Sequence, residues 1–233
     1  MSSEMDRIRH LGETQPQTWG AMSKLTFTTK VMPVFGLGLL MTAFGVFAGI
    51  QVAATYGMMP LYIIMALEFV MVLTSGAWQH KEGLNKFLFF VYALFSGMTL
   101  VPLLSFVMAS GGIAMIGQAL TVTTITFGGL MFYGMTTKRD FTSLGGFLFI
   151  GALALIAAGL LNAFVFQSGM MGMVVSVISV GLFSAYTVYQ MSVIRQHYSD
   201  QDYIGAALGL FIGFIGLFTS ILRLFGFMGN SDD

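Results

Sequence analysis

Two ionisable side chains in this chain of 233 residues stand inside otherwise apolar runs: Glu68 and Arg223. Placing a charge at the centre of a bilayer costs on the order of 3 kcal/mol on insertion scales. A carboxyl kept at such depth is either a hydrogen-bonded structural group or part of an ion or proton pathway. Glu68 lies near the middle of its run, which gives it the stronger claim to function. Arg223 lies one turn from the end of the last run, close enough for its apolar stem to carry the guanidinium to an interface. Gln51, Gln118, Asn162 and Gln190 are lone amides in apolar surroundings, and each suits a helix-to-helix hydrogen bond better than a ligand site.

The remaining reactive residue types exclude most enzyme chemistry. There is no cysteine, hence no disulfide, no thiolate metal site and no thiol nucleophile. The three histidines, His10, His80 and His197, fall outside the apolar runs, where they cannot activate a serine at membrane depth. His80 and Glu82 flank Lys81 in one short connection and read as solvated charges. His197 with Asp200 and Asp202 matches no metal-binding spacing, and Asp140 is placed to favour a helix N-terminus. The expectation is therefore a protein that is not an enzyme, with no metal site and no cofactor.

The elements that must hold Glu68 are apolar helices. Runs at Lys30–Ala54, Met58–Ala77, Asn85–Val107, Gly112–Met135, Phe141–Phe164, Met170–Val193 and Ile204–Gly226 each approach the ~20 residues needed to cross ~30 Å of hydrocarbon. Charged residues make up 9% of the chain, against about 25% in an average soluble domain. Apolar residues reach 56%, and the formal net charge is zero, so nothing suggests a nucleic-acid partner. The bilayer is the expected environment.

Charge sets the expected orientation. Arg7, Arg9, Lys24, Lys30, Lys81, Lys86, Lys138, Arg139 and Arg195 all fall on one side of a seven-span threading, and only Arg223 falls elsewhere. Thr55–Gly57, Met108–Gly111 and Val165–Gly169 carry no charge. Positive residues favour the cytoplasm, which places the amino terminus inside and the carboxyl terminus outside. Trp78, Tyr133, Tyr189, Tyr198 and Tyr203 would mark the inner interface, and Tyr56 and Tyr62 the outer one. Pro60 fits a first helical turn, whereas Pro102 is expected to kink the third span, with Ser96 and Thr99 satisfying freed backbone groups.

No linker divides the chain. The expected organisation is a cytoplasmic lead over residues 1–29, a transmembrane domain over 30–228 and a short tail over 229–233. An interfacial segment around Trp19–Phe27 is one reading of the lead and an unstructured tail is the other; a cleaved signal peptide is not expected. Gly205, Gly209, Gly213 and Gly216 form a stripe on the last span, and Gly45 and Gly49 a shorter one on the first. Small residues let helices approach closely where lipid tails compete for larger side chains. Packing within the chain explains both stripes, and homodimerisation through the last span is the alternative.

Several stretches together are similar to the bacterial branch of the Bax inhibitor-1 family: Ala66–Glu68 (ALE), Leu84–Leu100 (LNKFLFFVYALFSGMTL), Tyr133–Gly151 (YGMTTKRDFTSLGGFLFIG) and Ile221–Gly226 (ILRLFG). The resemblance implies an all-α integral membrane protein whose seven transmembrane helices are arranged as six around a central seventh. It also implies a pH-sensitive calcium leak, attributed in the family to facing aspartates on the sixth and seventh helices. Here the matching positions are Gln190, within Tyr189-Gln190-Met191-Ser192, and Gly213; Gly216 replaces an asparagine. Neither replacement titrates. Calcium takes six to eight oxygens, usually with carboxylates among them, and this chain offers one carboxylate at membrane depth.

Two functions from different classes follow. The first is an ion-homeostasis or stress role with a residual Ca2+ or H+ leak centred on Glu68, in a bacterial inner membrane. The second is a non-conducting modulator of other membrane proteins, such as the membrane AAA proteases with which the family's bacterial branch is associated.

Overall fold

A computed structural model describes residues 18–19, 22–79, 81 and 83–229. Residues 1–17 of the expected lead, residues 230–233 of the tail, and with them His10, His80 and Glu82, lie outside the described residues. The described chain is almost wholly helical. Helix α1 spans Lys24–Tyr56 and α2 Met59–Leu73, extended by the turn Ser75–Trp78. Then come α3 (Leu84–Thr99), α4 (Val101–Thr136), α5 (Gly145–Leu161), α6 (Gly169–His197) and α7 (Tyr203–Gly229).

Five helical stretches are long and apolar enough to cross a membrane, and one of them, Leu84–Thr136, has 53 residues. At 1.5 Å per residue it would reach about 80 Å if straight, far more than a bilayer core of ~30 Å. It is not straight. Gly112 has φ 70° and ψ −170°, a region open essentially to glycine alone, and the chain reverses there. Phe89 of α3 packs at 5.7 Å from Phe211, Phe106 at 5.5 Å from Phe227, and Phe127 at 5.3 Å from Phe214. The chain therefore ascends beside α7 to Gly112 and descends beside it again. Pro102 falls in the first turn of α4, after a local break at Leu100, so the large change of direction belongs to Gly112 and not to the proline. Gly57, with φ 76°, makes the corresponding reversal between α1 and α2.

α7 is the most buried of the long helices. α7 packs chiefly against α6 and α4 and also meets α1 and α3. Phe35 of α1, Phe127 of α4 and Phe214 of α7 form a trio, with Phe35 and Phe214 5.9 Å apart. Such aromatic pairs add about 0.5–1.5 kcal/mol each beyond area burial. α5 leans chiefly on α6 among the long helices, and Leu148 is its one buried side chain. α2 rests on α3 and α1 through Leu61.

The closest helix contact is between α1 and α3. A Cβ at Gly45 would strike the carbonyl of Leu94, and one at Gly97 the carbonyl of Thr42. Thr42 Oγ1 stands 3.0 Å from Gly38 O on its own helix and 3.1 Å from Ala93 O across the contact. Thus glycines on both helices, not on α1 alone, set this approach.

Part of the expected lead is folded onto the bundle. Thr18–Trp19 (β1) and Met22–Ser23 (β2) form a two-residue antiparallel pair, and α1 begins at Lys24. Met22 is fully buried and Phe27 nearly so. The first turns of α1 include a π segment, Phe27–Val31, before regular α-helix resumes.

All the described basic side chains but Arg223 gather at one end of α7. Lys30 Nζ and Lys86 Nζ stand 5.5 and 5.7 Å from the Tyr203 ring centre, a cation–π arrangement. Arg195 Nη1 donates to Gly134 O at 3.1 Å and to Thr137 O. These carbonyls end α4, where a cation is favoured by the helix dipole. Lys81, Lys138 and Arg139 lie in connections at the same end. Gly57, Gly112 and Gln167 mark the far end.

Candidate functional site

α2 carries Glu68 at half depth with its carboxyl turned toward α3. Thr99 Oγ1 lies 2.7 Å from Glu68 Oε2 and 3.0 Å from Ser96 O. Ser96, only 1% exposed, lies one turn before Thr99 on α3. Tyr92, 5% exposed, lies on the same helix one turn before Ser96. Residues 92, 96 and 99 share one face of α3, since positions four and three apart stack along a helix. Glu68 is half-buried, and its carboxyl meets this polar strip of α3.

The Thr99 hydroxyl has one proton and two acceptors within reach. When Glu68 is ionised, that proton is drawn to the carboxylate. When Glu68 is neutral, the carboxyl donates to Thr99 Oγ1, and Thr99 donates to Ser96 O. The pair therefore accommodates both protonation states with only a hydroxyl rotation. Sequence reasoning assigned Ser96 and Thr99 to repairing the backbone at Pro102; the structure adds Glu68 as a side-chain partner of Thr99. The signal that could have found this was Tyr92, Ser96 and Thr99 at helical spacing opposite a lone acid.

Toward the far end this seam is apolar. Leu61 of α2 packs with Met98 of α3 and Val101 at the start of α4, all buried. Arg223 is half-buried on α7, near the far end, and Glu68 takes its hydrogen bond from Thr99. The structure brings Glu68 together with α3, and Gln190 together with α7 in a separate place.

Gln190 is 4% exposed on α6. Its amide occupies the space in which a Cβ on Gly209 would sit. The residue that Gln190 meets on α7 is therefore Gly209. A Cβ on Gly213 would lie 3.2 Å from Thr187 Oγ1 and 3.3 Å from the Tyr186 ring. A Cβ on Gly205 would lie 3.1 Å from Gln79 Oε1 and 3.7 Å from the Tyr198 ring, and Phe183 fills the place beside Gly216. All four glycines face neighbours within the chain.

Asn162 caps a connection. Its Oδ1 accepts from Ser168 N at 3.1 Å, and its carbonyl accepts from Gln167 N at 2.7 Å, where α5 turns toward α6. Gln51 and Gln118 point outward. Trp78, expected at an interface, is 6% exposed, and its Nε1 donates to Met71 O at 3.2 Å.

Charges at the basic end have identifiable local work. Asp200 Oδ1 accepts from Ser23 N at 2.7 Å, pinning β2 to the connection between α6 and α7. That backbone N–H, first among its neighbours, holds the Asp200 carboxyl below the ordinary carboxylate range. Asp202 Oδ2 accepts from Ser199 N at 3.0 Å and Ser199 Oγ at 2.6 Å. Asp140 Oδ1 accepts from Thr142 N at 2.8 Å, and this bond lowers its pKa. It opens the short 3-10 turn Thr142–Leu144 that precedes α5. Among the described residues no three His, Cys, Asp or Glu side chains are grouped to hold a metal ion.

Apolar helices of membrane-crossing length, basic side chains gathered at one end and a carboxyl turned into the bundle define a helical integral membrane protein. A family model described as "Inhibitor of apoptosis-promoting Bax1" matches residues 24–231. The chain belongs to that family, the Bax inhibitor-1 family. It is 36% identical over 205 residues to an uncharacterised protein of Campylobacter jejuni, covering 85% of this chain and 87% of the relative. It is similar at 29% identity to the inner membrane protein YbhL of Escherichia coli, with 86% and 91% covered. Protein lifeguard 4 of mouse is 28% identical, with 86% and 84% covered.

Proposed function

We propose that this protein is a proton-responsive membrane protein of ion homeostasis, with Glu68 as the group that binds and releases the proton. The observation that carries this reading is the Thr99 hydroxyl, 2.7 Å from Glu68 Oε2 and 3.0 Å from Ser96 O, which serves either charge state of the acid. The reading favours protons over calcium as the species carried. A single carboxylate with hydroxyl neighbours falls short of the six to eight oxygens that calcium takes, and Gln190 and Gly213 supply no further carboxylate.

The accompanying architecture is a seven-span bundle in which α3 with residues 101–111 forms one span and residues 112–136 another, grouped about α7. The basic end lies in the cytoplasm of a bacterial inner membrane. The crowding of Lys and Arg at that end supports this orientation, and the likeness to an E. coli inner membrane protein supports the location.

Purified protein in liposomes loaded with a pH-sensitive dye tests the reading under an imposed potential. Wild type is expected to carry protons faster than empty liposomes, and Glu68→Gln to return the rate to that background. Equal rates for wild type and empty liposomes would overturn it, and a role as a non-conducting modulator of other membrane proteins would take its place. A calcium flux that Glu68→Gln leaves intact would overturn it as well.

A further inference from the structure

Two side chains of like charge converge on one ring at the basic end. Lys30 Nζ of α1 and Lys86 Nζ of α3 stand 5.5 and 5.7 Å from the centre of the Tyr203 ring, so they lie no further apart than those two distances together. Both lysines are exposed. A neutral ring attracts each ammonium but does not cancel their mutual repulsion. Among the described residues Lys30 makes no ion pair, and Asp200, in the connection before α7, is engaged by Ser23 N at 2.7 Å.

The same two helices form an open apolar groove of about 380 Å³ nearer the bilayer centre, lined by Leu37, Leu40, Met41 and Phe44 of α1 and Phe90 of α3. Spacing joins the groove to the lysines. Lys30, Leu37, Met41 and Phe44 follow one another at intervals of seven, four and three, which keeps them on one face of α1. Lys86 and Phe90, four apart, share a face of α3. Leu37, Leu40 and Phe44 are each more than half exposed, so the groove opens toward lipid. From Lys30 to Phe44 the helix rises about 21 Å. One leaflet, from headgroup to midplane, measures about 20–22 Å.

We propose that this face binds one anionic phospholipid of the leaflet at the basic end, with its phosphate between Lys30 and Lys86 and an acyl chain along the groove. The phosphate offsets the two ammonium charges, and the apolar lining holds the chain. A zwitterionic lipid brings a cation of its own to the same two lysines, so a headgroup of net negative charge is selected. A second copy of the chain fits this face less well. A twofold interface uses the same patch on both copies, and between parallel copies it would bring the two lysine pairs together. The site lies on α1 and α3, away from Glu68 on α2, and stands independently of the proton reading.

Native mass spectrometry of the whole protein in detergent, with phosphatidylglycerol or phosphatidylcholine added at equal concentration, tests the site. Wild type is expected to retain one phosphatidylglycerol in preference to phosphatidylcholine. A basic residue at an anionic lipid surface is worth about fivefold in binding, so Lys30→Gln should lower the affinity about fivefold and adding Lys86→Gln about as much again. Lys138→Gln with Arg139→Gln removes exposed charges of the same end and should leave binding unchanged. Met41→Trp fills the groove without touching the charge and should also weaken binding, while soluble glycerol phosphate should not compete. Phosphatidylglycerol with a photoreactive acyl chain should label residues 37–44 or Phe90. No preference in wild type, a preference that Lys30→Gln or Met41→Trp leaves intact, equal loss in the Lys138 and Arg139 control, or labelling confined to other helices would overturn the site. Competition by glycerol phosphate would reduce it to a free anion site and overturn the lipid, and a dimer free of lipid would give the face to a second copy.

Discussion

Substituting Gly97 by alanine should weaken the bundle at its tightest point. The added Cβ would overlap the carbonyl oxygen of Thr42 and lie 2.8 Å from Val46 N. These are backbone atoms, which cannot swing aside as the end of a side chain can, so α1 and α3 must separate. Separation stretches the Thr42 Oγ1 to Ala93 O bond of 3.1 Å, an interhelical bond worth about 0.6–1.7 kcal/mol in membranes. Overpacking adds about 1–3 kcal/mol. Against this, alanine is favoured over glycine within a helix by up to about 1 kcal/mol, leaving a net loss of about 1–4 kcal/mol. Gly129→Ala is the matched control, because no atom lies within 4 Å of a Cβ there; it should be neutral or stabilising by up to about 1 kcal/mol. Unfolding in detergent micelles titrated with denaturant reads both values. Equal shifts for the two variants, or a Gly97→Ala protein as stable as wild type, would refute the close approach of α1 and α3.

Gly112→Ala forces a side chain into a glycine-only conformation and should cost about 1–3 kcal/mol, measured in the same unfolding experiment. No loss would show that the reversal does not depend on it. Thr99→Val leaves Glu68 Oε2 without its hydroxyl donor and should cost about 1–3 kcal/mol, whereas Thr99→Ser should stay close to wild type; equal stabilities would remove Thr99 from the site. The Asp200 carboxyl is held below its unfolded value by Ser23 N–H, so its contribution is present above the unfolded pKa of about 3.9 and is lost as pH falls through the lower folded value. Protection of the Ser23 amide from hydrogen exchange, with the intrinsic pH dependence of exchange divided out, should fall over that acid window, and Asp200→Asn should make the protection insensitive to it. Unchanged pH dependence in the variant would rule Asp200 out as the pin.

Much of the helical framework was legible because bilayer length and charge asymmetry are strong constraints. The breaks near Gly57 and Gly112 follow from short uncharged loops between apolar runs, and both prove to be glycine reversals. The start of α1 was less legible. Residues 22–29 lack the apolar density of a span, yet Ser23 caps the helix by accepting from Thr26 N at 3.1 Å, and Met22 is buried by partners distant in sequence. The same limit applies to the site. Glu68 stands out in sequence because a lone acid at membrane depth is rare. Its partners do not, because Ser and Thr in helices commonly bond their own backbone, and only the packing of α2 on α3 brings Thr99 to the carboxyl. The facing of Gln190 with Gly209 likewise depends on the rotation of α6 against α7, which counting along the chain does not supply.

The most direct test of the central claim is an infrared difference titration that isolates the carboxyl stretch of Glu68 by subtracting Glu68→Gln spectra from wild-type spectra in lipid. The account predicts one carboxyl band that appears and disappears with pH, is absent from Glu68→Gln, and changes frequency in Thr99→Val because its hydrogen-bond partner is gone. A Glu68 band that pH does not alter, or one that Thr99→Val leaves unmoved, would contradict a proton held between α2 and α3.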